Sequence, residues 1–301
     1  MNRWLMVIRA PFLLLALVLG ILGAGIAWYE SRQAGTAFDF HAGYAVLAGA
    51  GIVLAHVSVN VLNEYFDYRS GVDMRTQRTP FSGGSGALPQ GLVTPRQALI
   101  LGGGALVVIV PVGVFFVLTK GWALLPLLVV AAGLVVLYTP LVLKMGWPEW
   151  APGVGLGTLP ILGAYFVHAG AYHVPAIIAA IPSGILVHNL LLLNEFPDVE
   201  ADITAGRRTL PIVIGRDRAR HVYAGLTALV YLWIIGGVVA GTMPALSLLG
   251  LLTIPWAMKA IRGAYAYRDR ARLVPALASN VMVVLLTQLF MGIGYFIAGA
   301  I

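Results

Sequence analysis

Two stretches of this 301-residue chain hold most of its candidate chemistry. NEYFDYRSGVD runs from Asn63 to Asp73, and NEFPDVEAD from Asn194 to Asp202. Each opens Asn-Glu, places an aspartate four residues after the asparagine (Asp67, Asp198) and ends on a second one (Asp73, Asp202). Asn63 and Asn194 are 131 residues apart, as are Asp67 and Asp198, and Pro80 and Pro211. Seven of the 12 acidic residues lie here: Glu64, Asp67, Asp73, Glu195, Asp198, Glu200 and Asp202. His56, Asn60, Asn63 and Asp67 follow at steps of four, three and four, which puts them on one helical face. Gly71 predicts a helix end that turns Asp73 back toward that face. Asn194, Asp198 and Asp202 step by four, but Pro197 has no N–H to give, so the second helix should kink or restart there.

Four aspartates brought to one place repel one another, and a divalent cation relieves the repulsion. Carboxylate and amide oxygens are hard donors that favour Mg²⁺, with Mn²⁺ as the other candidate. The expected ligands are Asp67, Asp73, Asp198 and Asp202, with Asn63 and Asn194. Arg75 and Arg78 follow the first stretch and Arg207 and Arg208 the second, and guanidinium forks match phosphate oxygens. Carboxylates, metal and arginine together make a diphosphate clamp. In a membrane the fitting diphosphate is a polyprenyl one, its head at the interface and its tail among the helices. Stabilising the departing pyrophosphate favours ionisation to an allylic cation, which the rings of Tyr65, Phe66, Tyr68 or Tyr138 would shield.

Several of these residues also have plainer readings. His56 and Asn60 are either pocket groups or helix–helix hydrogen-bond partners. Tyr138, which opens YTPLVLK, is a pocket wall or an interfacial tyrosine. Lys144 and Glu149 form a salt-bridged loop or part of a lid. Glu64 and Glu195, one residue past each asparagine, should face partly away from the site. Arg216, Arg218, Arg220 and the arginines at 268–272 read as topology and headgroup charges.

The elements that must position these residues are membrane helices. The chain is 59% hydrophobic and 10% charged, against about 25% charged for a soluble domain. It has no cysteine, which excludes disulfides and thiolate metal or redox sites. The expected fold is all-α: nine transmembrane helices around a central cavity, near 10–29, 43–65, 97–118, 122–140, 151–168, 174–194, 220–241, 243–261 and 276–298. Glycines inside these runs suit close helix packing. With nine crossings, 17 of the 19 Lys and Arg fall on one side and only Arg32 and Lys120 on the other. That places the N-terminus, both acidic stretches and the site in the cytoplasm. It also explains the net charge of +7 without nucleic acid. The first apolar run is long for a signal peptide, and removing it would spoil the count, so it reads as a retained helix. The constant offset suggests one domain over 1–301 with a parallel four-helix repeat, roughly 10–140 and 151–261, and an added last helix.

These residues resemble the UbiA-type intramembrane aromatic prenyltransferases. The resemblance runs from RAPFLLLALVLG near the start through both aspartate motifs. Within that superfamily, NEYFDYRSGVD with FSGGSGALPQGLVTPRQAL (Phe81 to Leu99) is most similar to the 1,4-dihydroxy-2-naphthoate polyprenyltransferases of menaquinone synthesis. The resemblance implies two Mg²⁺ ions bridging the diphosphate, with Arg207 joining the ligands. It also implies a helical bundle whose cavity opens laterally to lipid and is capped by loops 2–3 and 6–7. The implied partners are a polyprenyl diphosphate, an aromatic acceptor and membrane lipid, and the implied location is a bacterial or archaeal cytoplasmic membrane. Other acceptors of the superfamily, such as 4-hydroxybenzoate, homogentisate or a glyceryl phosphate lipid, share the mechanism. A metal-site transporter is the reading from another class, but its coupling site would lie nearer the bilayer midplane.

Overall fold

The computed structural model describes residues 2–76 and 78–301, and every regular element among them is helical. Eight helices are long and apolar enough to cross a membrane: α1 Ala10–Ser31, α2 Ala42–Ser70, α3 Pro95–Lys120, α5 Trp150–Ala169, α6 Val174–Asn194, α7 Arg216–Val239, α8 Ala245–Tyr265 and α9 Arg270–Ala298. The shorter apolar helix α4, Trp122–Leu137, falls where the sequence predicts the fourth crossing. Thr94 starts α3 with a capping box to Gln97, Asp269 caps α9 through Ala271 N, and Gly71 ends α2 with φ +77°.

Each helix touches the next, and α9 closes the ring against α1. The largest apolar cluster joins α1, α5, α6, α7 and α9, with Leu19, Tyr165, Val187, Ile234 and Tyr295 at its centre. Two-thirds (67%) of the apolar stretch of α6 is buried, against 28% of that of α3. The second acidic stretch therefore grows from the most enclosed helix, while α3 shows Val107, Val110, Val114 and Leu118 to lipid. Lipid gives apolar side chains no reason to cluster, so close packing and buried polar bonds must hold the helices together. A methyl group on Gly157 would lie 2.7 Å from the Ser183 carbonyl oxygen, so α5 and α6 meet backbone to backbone. Asn189 donates to Tyr223 O and Thr227 Oγ1, both at 3.0 Å, and Asn280 donates to Asn189 O at 3.2 Å, tying α6, α7 and α9.

The loops separate into two faces. On one, Tyr165 bonds Glu30 and His173, and His41 N donates to His168 Nδ1 at 3.2 Å. Arg32 and Lys120 belong to that face. The other face carries both acidic stretches and their arginines.

Candidate active site

The first stretch is one helix and a turn. α2 runs five residues beyond its expected end, so Asn63 and Asp67 are both helical. After Gly71 the 3₁₀ turn Val72–Met74 carries Asp73 back into the protein, where it is 5% exposed. The loop that follows is fastened from below: Ser85 donates through N and Oγ to the Glu64 carboxylate at 2.7 and 2.6 Å. Glu64 thus turns to the capping loop and holds it over the mouth, near enough for its charge to act on Asp73.

The second stretch is broken, as Pro197 predicts. α6 stops at Asn194, and a short helix, Val199–Thr204, restarts behind Asp198. Asn194, Asp198 and Asp202 therefore do not share one continuous helical face. The break lets the chain turn and points Asp202, 2% exposed, at the first stretch. Arg207 joins the two: Nη1 donates to Asp202 Oδ1 at 2.9 Å, and Nη2 to Asp67 Oδ1. The helix tips are together.

Negative charge exceeds positive charge in this mouth. Burial, then the charges of Asp67 and Glu64, push Asp73 up to about 7. Burial, then Asp202, push Asp198 up to about 7. Burial raises Asp202 as well, against the pull of Arg207. Burial also works against the Arg207 charge, but Asp67 and Asp202 outweigh it and hold the guanidinium protonated. Burial and the neighbouring Glu149 carry Glu195 far above the carboxylate range. Glu195 faces Glu149 behind the mouth.

Asp73 Oδ2, Asp198 Oδ1 and Asn194 Oδ1 are buried with no hydrogen-bond partner among the described residues. Also among those residues, no three carboxylate or histidine side chains converge on one point, and Arg207 stands between Asp67 and Asp202. Mg²⁺ needs no such cage: it keeps waters and is commonly held by one or two carboxylates plus substrate phosphate. The free oxygens, all hard donors in an excess of negative charge, fit that mode.

The mouth opens on a cavity lined by Asn63, Asn194, Tyr138, His56 and Asn60 from the expected set. Asn63 Oδ1 accepts from Thr139 Oγ1, which holds it beside Tyr138. Arg78 lies in the cap, with Nη2 3.5 Å from Asp73 O. Three expected binding residues sit elsewhere. Arg75 and Arg208 are exposed on the rim. Arg208 acts through its backbone, giving its N–H to Leu143 O at 2.8 Å and taking that of Trp147 at 3.1 Å. Lys144 is exposed too and makes no salt bridge with Glu149, which turns inward and accepts from Leu210 N at 2.6 Å. Tyr65 and Tyr68 pack against the N-terminal segment around Val7 and Phe66 against Val59, Leu62 and Val135, so these three rings do not line the cavity.

Sequence reasoning missed Arg9, Phe12 and Phe81, which line the same cavity. Arg9 reads from sequence as a topology charge, yet its charge reaches Asp67 and Asp198. Its backbone is left-handed (φ +53°), rare for a residue with a side chain. Asn60 Nδ2 donates to Ile8 O at 3.1 Å and fastens that turn. The one signal in the sequence is the Pro11 that follows closely after.

Residues 33–282 match the UbiA prenyltransferase family. The 1,4-dihydroxy-2-naphthoate octaprenyltransferase of Bacillus subtilis is 27% identical over 210 residues, 69% of this chain and 66% of that protein, just under two thirds of its length. Its namesake from Haemophilus influenzae is 26% identical over 306 residues, 99% of this chain and 96% of that one. A digeranylgeranylglyceryl phosphate synthase from Natronomonas pharaonis is 29% identical over 194 residues, 63% of this chain and 62% of that one. Among solved structures, a UbiA homolog from Aeropyrum pernix K1 superposes with a TM-score of 0.69 at 18% identity, over 88% of this chain and 94% of that one. A UbiA homolog from Archaeoglobus fulgidus bound to GPP and Mg²⁺ gives 0.64 at 14%, over 98% and 99%. The fold is theirs, and the chain belongs to the UbiA prenyltransferase family: it is a membrane prenyltransferase.

Proposed function

We propose that the chain transfers a polyprenyl group from its diphosphate to an aromatic acceptor, 1,4-dihydroxy-2-naphthoate. The observation that carries the reading is the Arg207 bridge between Asp67 and Asp202, which gathers both acidic stretches over one cavity. The naphthoate acceptor is favoured by the named relatives in Bacillus and Haemophilus. Mg²⁺ would be held by Asp67, Asp73, Asp198 and Asp202 with Asn63 and Asn194, as the Archaeoglobus homolog's bound GPP and Mg²⁺ encourage. When bound, the metal supplies positive charge against which pyrophosphate can leave.

The chain's own groups do the rest. Arg207, Arg78 and Arg9 face the same diphosphate head and orient it. Asp67 and Asp202 hold the Arg207 guanidinium in place before substrate arrives, so little reorganisation is needed there as charge develops. Glu64 and Glu149 fix the capping loops, which exclude water that would capture the cation. Tyr138, Phe12 and Phe81 give the cation ring faces and an apolar wall. The acceptor ring then takes the prenyl carbon, with loss of its carboxylate in the naphthoate case. The basic residues on the acidic face support a cytoplasmic location for this chemistry.

Mass spectrometry of products tests the reading: purified protein, Mg²⁺, one prenyl diphosphate and a panel of hydroxyaryl acids. The expected product is a prenylated naphthohydroquinone, abolished by chelator. Product with none of the aromatic acids would overturn the reading. Product with a glyceryl phosphate lipid instead would establish the second reading, which the Natronomonas relative supports.

A further inference from the structure

We propose that His56 recognises the acceptor, by accepting a hydrogen bond from its hydroxyl through Nε2; the assignment rests on the aromatic-acceptor reading above. His56 is 3% exposed and lies on α2, two turns below Asn63. At 1.5 Å per residue this is roughly 10 Å deeper than the polar mouth. Its Nδ1 is 3.0 Å from Ile52 O. A carbonyl oxygen only accepts, so in the neutral ring the proton sits on Nδ1 and Nε2 presents a lone pair. Nε2 is buried and has no hydrogen-bond partner among the described residues.

The position of this lone pair decides what can meet it. His56 lines the cavity under the mouth and also a second cavity of about 410 Å³ that runs on between α2, α3, α4 and α5. Ala131, Val135, Gly155 and Leu156 belong to both linings, so the two spaces meet at His56. The second is walled almost wholly by apolar side chains such as Ile109, Leu128 and Leu159, as far as Trp122 at the opposite face. That space suits a prenyl tail, which is pure hydrocarbon and has no O–H to offer. The diphosphate belongs at the arginines and aspartates above. The hydroxyl of the acceptor remains the one substrate donor for Nε2. A ring anchored there by its hydroxyl extends from His56 back toward the mouth, where the allylic carbon is joined to the diphosphate. Drawing the hydroxyl proton toward Nε2 also raises electron density at the ortho and para ring carbons. An acceptor without that hydroxyl leaves a buried lone pair unpaired, which is how hydrogen-bonding sites reject analogues strongly.

The test compares wild type, His56→Phe and His56→Gln in lipid nanodiscs with Mg²⁺ and geranylgeranyl diphosphate. The acceptors are 1,4-dihydroxy-2-naphthoate and its two mono-methyl ethers. Wild type should prefer the dihydroxy acid over one of the ethers by about tenfold or more. His56→Phe keeps a ring but no acceptor atom. It should raise the acceptor KM about tenfold, leave the KM for the prenyl diphosphate within twofold, and lose the hydroxyl-over-ether preference. His56→Gln, which keeps an acceptor oxygen, should restore part of that preference. Equal rises in both KM values, or a hydroxyl preference that survives in His56→Phe, would overturn the assignment while leaving the transferase reading intact. A wild-type protein that prenylates no hydroxyaryl acid would overturn both.

Discussion

Arg207 is the residue on which the mouth balances. It is 15% exposed and touches one aspartate from each acidic stretch. Its single charge pairs with only those two, and burial, with charge repulsion second, leaves Asp73 and Asp198 raised to about 7. Sites built to bind charge often carry this signature, being less stable than the same fold without the charge. Asp198→Asn removes repulsion with Asp202 and keeps the shape. It should lower turnover by about a hundredfold or more while the melting temperature stays level or rises, corresponding to roughly 0.5–1 kcal/mol. A fall in melting temperature with normal turnover would make Asp198 structural. Asn60→Ala makes a different prediction, because Asn60 works through Ile8 O to hold the left-handed turn at Arg9. The expected result is a rise in the KM for the prenyl diphosphate of about tenfold, with one lost hydrogen bond worth about 1 kcal/mol of stability. Steady-state kinetics with the donor varied will check it. Gly86 makes a similar point about space. Its φ is +79°, and a Cβ there would collide with the Arg78 guanidinium, so the small residue is what lets Arg78 lie in the cap.

At the level of elements, the two halves of the mouth reach the same place by different routes. α2 carries Asp67 on an unbroken helix and uses Gly71 to return Asp73, whereas α6 must end at Asn194 because Pro197 interrupts it. Both outcomes were legible, since glycine and proline act on the backbone through steric rules that need no tertiary knowledge. Helix number and type were legible for the same reason: an apolar run in lipid has one way to satisfy its backbone. What was not legible depends on which loops meet. Lys144 and Glu149 are close in sequence and opposite in charge, which predicts a pair, yet Glu149 is buried because loop 6–7 brings Leu210 N to it. Tyr65 and Tyr68 look like site aromatics, but the N-terminal segment covers them and supplies Phe12 and Arg9 to the cavity instead. The Glu149 latch is testable. Glu149→Gln keeps an oxygen for Leu210 N and removes a like charge beside Glu195, so stability should hold or rise. Glu149→Leu strands a buried N–H and should lower stability by about 1–3 kcal/mol. Thermal unfolding of both variants in one detergent separates these outcomes, and equal loss in both would refute the latch.

For the whole molecule, the ring of nine helices makes the two faces chemically unequal. The acidic stretches share a face with 17 of the 19 basic residues. The opposite face holds Arg32 and Lys120 and is closed by aromatic and histidine contacts: Phe40 stacks on His168 at 4.5 Å, and Lys120 Nζ lies 4.8 Å from the Tyr44 ring centre. On the proposed function, a prenyl diphosphate would bring its head to the basic face and its tail into the apolar interior. The positive-inside bias predicts that the basic face is the cytoplasmic one. The chain contains no cysteine, so single cysteines can be placed without removing any first. Lys144→Cys lies on an exposed loop of the acidic face, and Gln33→Cys on an exposed stretch of the other. In right-side-out spheroplasts a membrane-impermeant maleimide should label Cys at position 33 and spare that at 144, and in inverted vesicles the pattern should reverse. Labelling of position 144 from outside would turn the molecule over, putting the diphosphate site where no cytoplasmic donor could reach it.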